Sequence, residues 1–183
     1  MSDPAADASD MIALQGGEAA ALDRLMGRWQ QPLQSYLRRI VGHPEDARDL
    51  AQETFVRIYR HRTRFRPEAR FSTWLFQIAL NLARDHHRQR QRRPSEALAA
   101  SVQETAEDAP HPRAHAEAAD RAVAVRDAIA ELPDSLRDPL ILAEYQHLSH
   151  AEIAQVIGSS PKAVESRLYR ARDLLRQRLR RWL

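Results

Sequence analysis

The chain has no cysteine, one lysine (Lys162) and only 5 glycines in 183 residues. Without cysteine there is no disulfide framework, no thiol redox switch and no cysteine zinc site. The glycines are not spaced as a Rossmann or phosphate-loop pattern requires. No apolar run approaches the roughly 20 residues that cross a bilayer. Residues 1–9 are small and acidic, lack the basic and apolar stretches of a leader, and read as a disordered N-terminus. A cytoplasmic chain with no membrane insertion is expected.

What is present points to helix. The chain is 43% hydrophobic, rich in Ala, Leu and Arg, and shows apolar residues at helical spacing. The expected fold is all-α, with two small helical domains over 10–93 and 119–183. The segment 94–118 differs from both. It holds Pro94, Pro110 and Pro112, and carries Glu96, Glu104, Glu107, Asp108 and Glu117 against Arg113 alone. It reads as an acidic flexible linker.

The net charge of +3 conceals segregation. From Pro161 to Leu183 eight basic residues face only Glu165 and Asp173, and from Arg84 to Arg93 five arginines face only Asp85. A single charge run is usually a solvated face. Two separate arginine patches favour a polyanion, because the guanidinium fork suits phosphate and guanine edges.

In the N-terminal domain, helices are expected near Gly17–Met26, Pro32–Val41 and Glu45–His61. A fourth is expected to be capped by Ser72 and to carry Trp74, Leu75, Ile78 and Leu82. The third turns Ala47, Ala51, Phe55, Ile58 and Tyr59 to one side and Asp46, Asp49 and Glu53 to the other. An acidic stripe repels phosphate, so it suits a basic protein partner or plain solvation. The loop Arg66–Phe71 and the following helix mix aromatics with Arg84 and Arg88, as a single-strand grip requires. Core packing is the competing reading for Phe71 and Trp74. Asn81 can read a base edge or satisfy a local backbone group.

In the C-terminal domain, helices are expected near Asp120–Glu131, Ser135–His147, Ala151–Ile157 and Pro161–Arg181. The last two form a helix-turn-helix, which sets one helix in the major groove. Gly158 ends the first, Ser160 caps the second, and Pro161 suits its first position. Val164, Leu168, Ala171 and Leu175 form the buried stripe. Ala163, Ser166, Arg167 and Arg170 lie on the other face. Adjacent His86 and His87 point about 100° apart on a helix and do not chelate easily. His111 and His115 lack a ligand frame, so neither metal nor cofactor is expected. No convincing nucleophile and base pair marks an enzyme.

Together the runs Asp49–Arg57, Phe71–Asn81 and Ser166–Arg172 resemble the extracytoplasmic-function (ECF) sigma factors of bacterial RNA polymerase. The resemblance implies roles. The helix bearing Asp46, Asp49, Gln52 and Glu53 is similar to the region that docks on the β′ clamp helices, and the β flap is a further implied contact. Arg66, Glu68, Arg70, Phe71, Asn81, Arg84 and Arg88 are similar to the regions that capture an extruded base of the minus-10 element and hold the non-template strand. Lys162, Ala163, Ser166, Arg167 and Arg170 correspond to the minus-35 reader. The acidic linker fits a tether and also mimicry of RNA near the exit path. An anti-sigma factor is an implied partner. Two features depart from the family pattern. Glu165 stands where a basic residue is common, leaving a cytosine amino group or a nearby arginine as its partner. Pro161-Lys162-Ala163 replaces a start that often bears glycine. A stand-alone repressor or activator, dimeric on a palindrome, is the alternative from another class. The acidic helix and second basic patch weigh against it.

Overall fold

A computed structural model describes residues 3–92 and 114–182. These residues form helices and short 3-10 turns, with no strand among them. The α-helices are α1 (Pro4–Gln15), α2 (Ala20–Val41), α3 (Pro44–Arg60), α4 (Phe71–Arg92), α5 (Ala114–Ala130), α6 (Asp134–Gln146), α7 (His150–Ile157) and α8 (Pro161–Arg178). The linker reading falls outside the described residues up to position 113, while 114–118 belong to α5 rather than to a tether.

The expectation of disorder over 1–9 is corrected from Asp3 onward. The Asp3 carboxylate accepts from the Ala5 N–H, and Pro4 starts α1 with the φ a helix needs. Asp7 and Asp10 are buried rather than solvated. Arg28 Nε donates to Asp7 at 2.9 Å, Trp29 Nε1 donates to Asp7 at 3.1 Å, and Arg24 Nε donates to Asp10 at 2.6 Å. Arg28 also pairs with Asp10. The acids that make the segment look solvated are neutralised by α2. Met11 and Leu14 carry the same helix into the core.

A second correction concerns α2, which is one helix of 22 residues and not two. Pro32 within it loses one backbone hydrogen bond and costs about 3 kcal/mol. Leu25, Trp29, Leu33, Tyr36 and Leu37 are buried on both sides of it. Full burial of such a side chain is worth about 1.5–3 kcal/mol each, so the core outweighs the proline. Trp29 meets Phe71 and Phe76 edge-on at 6.0 and 5.9 Å, and Tyr36 meets Phe76 at 5.0 Å. These contacts tie α2 to α4.

On α3 the buried side runs Ala47, Leu50, Ala51, Thr54, Phe55 and Ile58. Tyr59, assigned to that side from sequence, is exposed. In the C-terminal unit, α6, α7 and α8 pack around Leu140, Ile141, Ile153, Val164 and Leu168. The two units also touch, with α7 against α4 and α6 against α2.

Candidate nucleic-acid interface

The helix-turn-helix is built from strong local signals. Ser149 and Glu152 form a reciprocal capping box at the start of α7. Gly158 ends it at φ 67°, in the left-handed region. Ser160 Oγ then accepts from the Ala163 N–H at 3.2 Å, and Pro161 opens α8. Val164, Leu168 and Ala171 are fully buried, while Leu175 is only partly so. Lys162, Ser166 and Arg170 are exposed, and Ala163 and Arg167 are half-buried. Glu165 is exposed and forms no ion pair among the described residues, so pairing with an arginine of its own chain is not found. Tyr169 is 73% exposed on the same helix.

The loop over 66–70 leaves Arg66, Glu68 and Arg70 exposed. Its ends are held in the core by Phe65 and Phe71, whose rings lie 6.3 Å apart. Phe71 is 3% exposed, so it presents no ring face to a base. Its assignment to the DNA-contacting set is corrected: it is an anchor beneath the loop. The helix begins at Phe71, one residue before the expected Ser72 cap. Phe76 is also fully buried, and Trp74 packs against Phe65 at 5.5 Å.

Farther along α4, Asn81, Arg84 and Arg88 are exposed. Arg88 pairs with Asp85 on its own helix, and Arg84 pairs with Asp138 of α6 at 3.0 Å. Of the acidic set on α3, Asp49 and Gln52 are exposed. Glu53 pairs with Arg57 at 3.0 Å. Asp46 is tied to Arg90 at 2.7 Å and faces His86 at 3.6 Å, so it locks α3 to α4 rather than standing free.

The two units meet at a cleft lined by Arg66, Glu68, Arg70 and Thr73 from one and by Glu152 and Gln155 of α7 from the other. Arg70 lies 3.1 Å from Glu152. Burial pushes the Glu152 carboxyl up, but the Ser149 hydroxyl, the Ser149 backbone N–H and Arg70 together hold it below its ordinary value.

Comparison with known proteins agrees with this geometry. The family description Sigma-70 region 2 matches residues 25–93, and Sigma-70, region 4 matches residues 122–175. The chain is 34% identical over 174 residues to the RNA polymerase sigma-H factor of Pseudomonas aeruginosa, covering 88% of each. It is 30% identical to the ECF RNA polymerase sigma-E factor of Haemophilus influenzae, covering 98% of each. Among solved structures, CnrH in complex with the cytosolic domain of CnrY is similar at a TM-score of 0.72 and 28% identity, covering 95% of this chain and 97% of that one. The sigma factor RpoE of Bartonella quintana, solved with the anti-sigma factor NepR, shares the fold at a TM-score of 0.69 and 19% identity, covering 86% and 96%. The paired helical units thus define a transcription initiation factor with a helix-turn-helix. The chain belongs to the sigma-70 family, as an RNA polymerase sigma factor of the ECF group.

Proposed function

We propose that this sigma factor directs core polymerase to promoters through two separate DNA grips and one acidic docking face. The reading rests on the α8 surface, where Lys162, Ser166, Arg167 and Arg170 stand outside a stripe of buried Val164, Leu168 and Ala171. That face enters the major groove at the minus-35 element, and base contacts there set register. Arg66, Glu68, Arg70 and Asn81 surround the extruded minus-10 base, while Arg84 and Arg88 hold the strand. Extrusion costs a few kcal/mol, offset by pocket, phosphate and polymerase contacts without ATP. Asp49 and Gln52, with Glu53 beside them, meet the β′ clamp helices. The β flap is the contact of the C-terminal unit.

The two units divide near the acidic segment, with α1 to α4 serving docking and melting and α5 to α8 serving duplex reading. The place of action is the cytoplasm, with the polymerase. No described helix is long and apolar enough to cross a membrane. An anti-sigma factor is the further partner. The family implies one, and the similar CnrH carries the cytosolic domain of CnrY in its solved complex.

Run-off transcription with purified core polymerase tests the reading. Transcripts are expected only when the protein is added, and they are expected to fall when either promoter element is scrambled. Tight binding to a palindrome without polymerase, and no effect on transcription, would favour the repressor alternative.

A further inference from the structure

The end of α1 reaches a part of the chain nearly fifty residues away. Gln15 Nε2 donates to the Arg62 carbonyl and to the Phe65 carbonyl, both at 2.9 Å. Only the nitrogen of the amide can serve two carbonyls, so its orientation is fixed. Those carbonyls belong to the 3-10 turn Arg62–Arg64 and to the residue that follows it. The next residues, 66–70, are the exposed loop. Phe65 is 4% exposed and packs on Phe71 and Trp74, which close the other end of that loop. The loop therefore leaves and re-enters one aromatic cluster, and its departure point is set by Gln15. The support is itself rigid, because Asp7 and Asp10 bind α1 to Arg24, Arg28 and Trp29 of α2.

We propose that Gln15 is a positioning residue for promoter recognition: its two hydrogen bonds fix the angle at which the loop over 66–70 meets an extruded base. This rests on the assignment of that loop to the minus-10 element. Precise aim matters there, since base discrimination depends on hydrogen-bond geometry that a loosely held loop loses. The N-terminal helix then takes part in base selection without touching DNA.

The test uses full-length protein with core polymerase and a promoter library randomised in both elements, scored by sequencing run-off transcripts. Gln15→Glu keeps the shape but replaces the donor with an acceptor facing two carbonyls. It is expected to lower base preference at the minus-10 positions roughly tenfold, the order expected for two lost hydrogen bonds. Preference at the minus-35 positions should stay as in the wild type. Gln15→Lys restores a donor of similar reach and is expected to recover most of the preference. Gln15→Ala, which adds no charge, should resemble Gln15→Glu. Hydrogen exchange at the 65–71 amides should quicken in Gln15→Glu while the α2 core stays protected. Unchanged minus-10 preference in Gln15→Glu and Gln15→Ala would overturn the proposal. An equal loss at both elements would also overturn it, because that is the signature of general destabilisation. Arg66→Ala and Arg70→Ala separate the two layers. If they too leave minus-10 preference intact, the loop assignment fails. If they lower it while Gln15→Glu does not, only the positioning role fails.

Discussion

Arg84 Nη2 donates to Asp138 Oδ2 at 3.0 Å, joining α4 of one helical unit to α6 of the other. Asp138 is 2% exposed, whereas the Arg84 side chain is 43% exposed. Burial pushes the Asp138 carboxyl up, and Arg84 and Arg137 only partly pull it back. The same Arg84 is proposed to hold the promoter strand. Its guanidinium cannot sit wholly on a phosphate while it serves a buried carboxylate, so unit packing and strand holding compete for one group.

Removing that guanidinium exposes the competition. Arg84→Ala leaves Asp138 without its main partner, so the carboxyl should titrate still higher by carbon-13 NMR. The packing of the units should weaken by about 1–2 kcal/mol, less than for a fully buried pair because Arg84 is partly in water. Since the chain has no cysteine, a dye pair at Arg48→Cys and Gln177→Cys can report separation by energy transfer in urea. The pH direction follows from the raised carboxyl. Packed units bind the Asp138 proton more tightly than separated ones. Packing is therefore strongest below the ordinary value of 3.8 and weakens as pH rises through the raised one. An Asp138 titration unmoved by Arg84→Ala would sink this account.

Asp10 of α1 titrates with the opposite sign. Burial raises the Asp10 carboxyl, but hydrogen bonds and charge from Arg28 and Arg24 outdo it and leave it below 3.8. Its contribution is present above 3.8 and disappears as pH falls through the lowered value. Asp10→Asn should therefore destabilise the protein at neutral pH and match the wild type in strong acid. Urea melts at the two pH values measure the difference. A deficit that persisted in acid would mean that packing, not charge, is what the substitution removes.

The acidic face of α3 makes a sharper prediction than its composition suggests. Asp49 is exposed, while Glu53 is already engaged by Arg57 and Asp46 by Arg90. Asp49→Arg with Glu53→Arg should abolish pull-down of core polymerase, with Asp49→Arg alone responsible for most of the loss. Asp46→Arg should instead lower thermal stability, because it breaks the tie between α3 and α4. Normal association of the double variant would place docking elsewhere.

For duplex recognition, Arg167→Ala or Arg170→Ala should weaken minus-35 binding by about 1–3 kcal/mol if the contact is to a base edge. A phosphate contact would weaken all sequences alike and reduce the salt dependence instead. Competition binding against scrambled duplex at two salt concentrations distinguishes these. No loss in either variant would remove α8 from base reading.

Much of this organisation was legible because its signals are local. Gly158, Ser160 and Pro161 act within a few residues, and the Val164–Leu168–Ala171 stripe follows from helical period alone. What escaped is set by distance in sequence. Asp7 and Asp10 look like solvent-loving acids until Arg28 and Trp29, some twenty residues on, are seen to neutralise them. Pro32 reads as a break because its local cost is plain and the tertiary burial that offsets it is not. Phe71 has the chemistry of a base-stacking residue, and only its neighbours Trp29 and Phe65, distant in sequence or across the loop, show that the ring is buried in the core. Asp46 belongs to the acidic stripe by spacing, yet Arg90 claims it from another helix.

The turn of the helix-turn-helix supplies a final prediction. Gly158 sits at φ 67°, and a Cβ added there meets nothing within 4 Å. Gly158→Ala therefore carries no steric clash with neighbours, only the backbone cost of a left-handed L-residue, about 1–2 kcal/mol. Asparagine tolerates this conformation better, so Gly158→Asn should cost less than alanine. Both losses should appear in denaturant melts of the protein, with minus-35 specificity among folded molecules unchanged. If alanine were neutral while asparagine destabilised, the turn would not depend on positive φ, and the angle between α7 and α8 would have to be set by the packing of the two helices on each other instead.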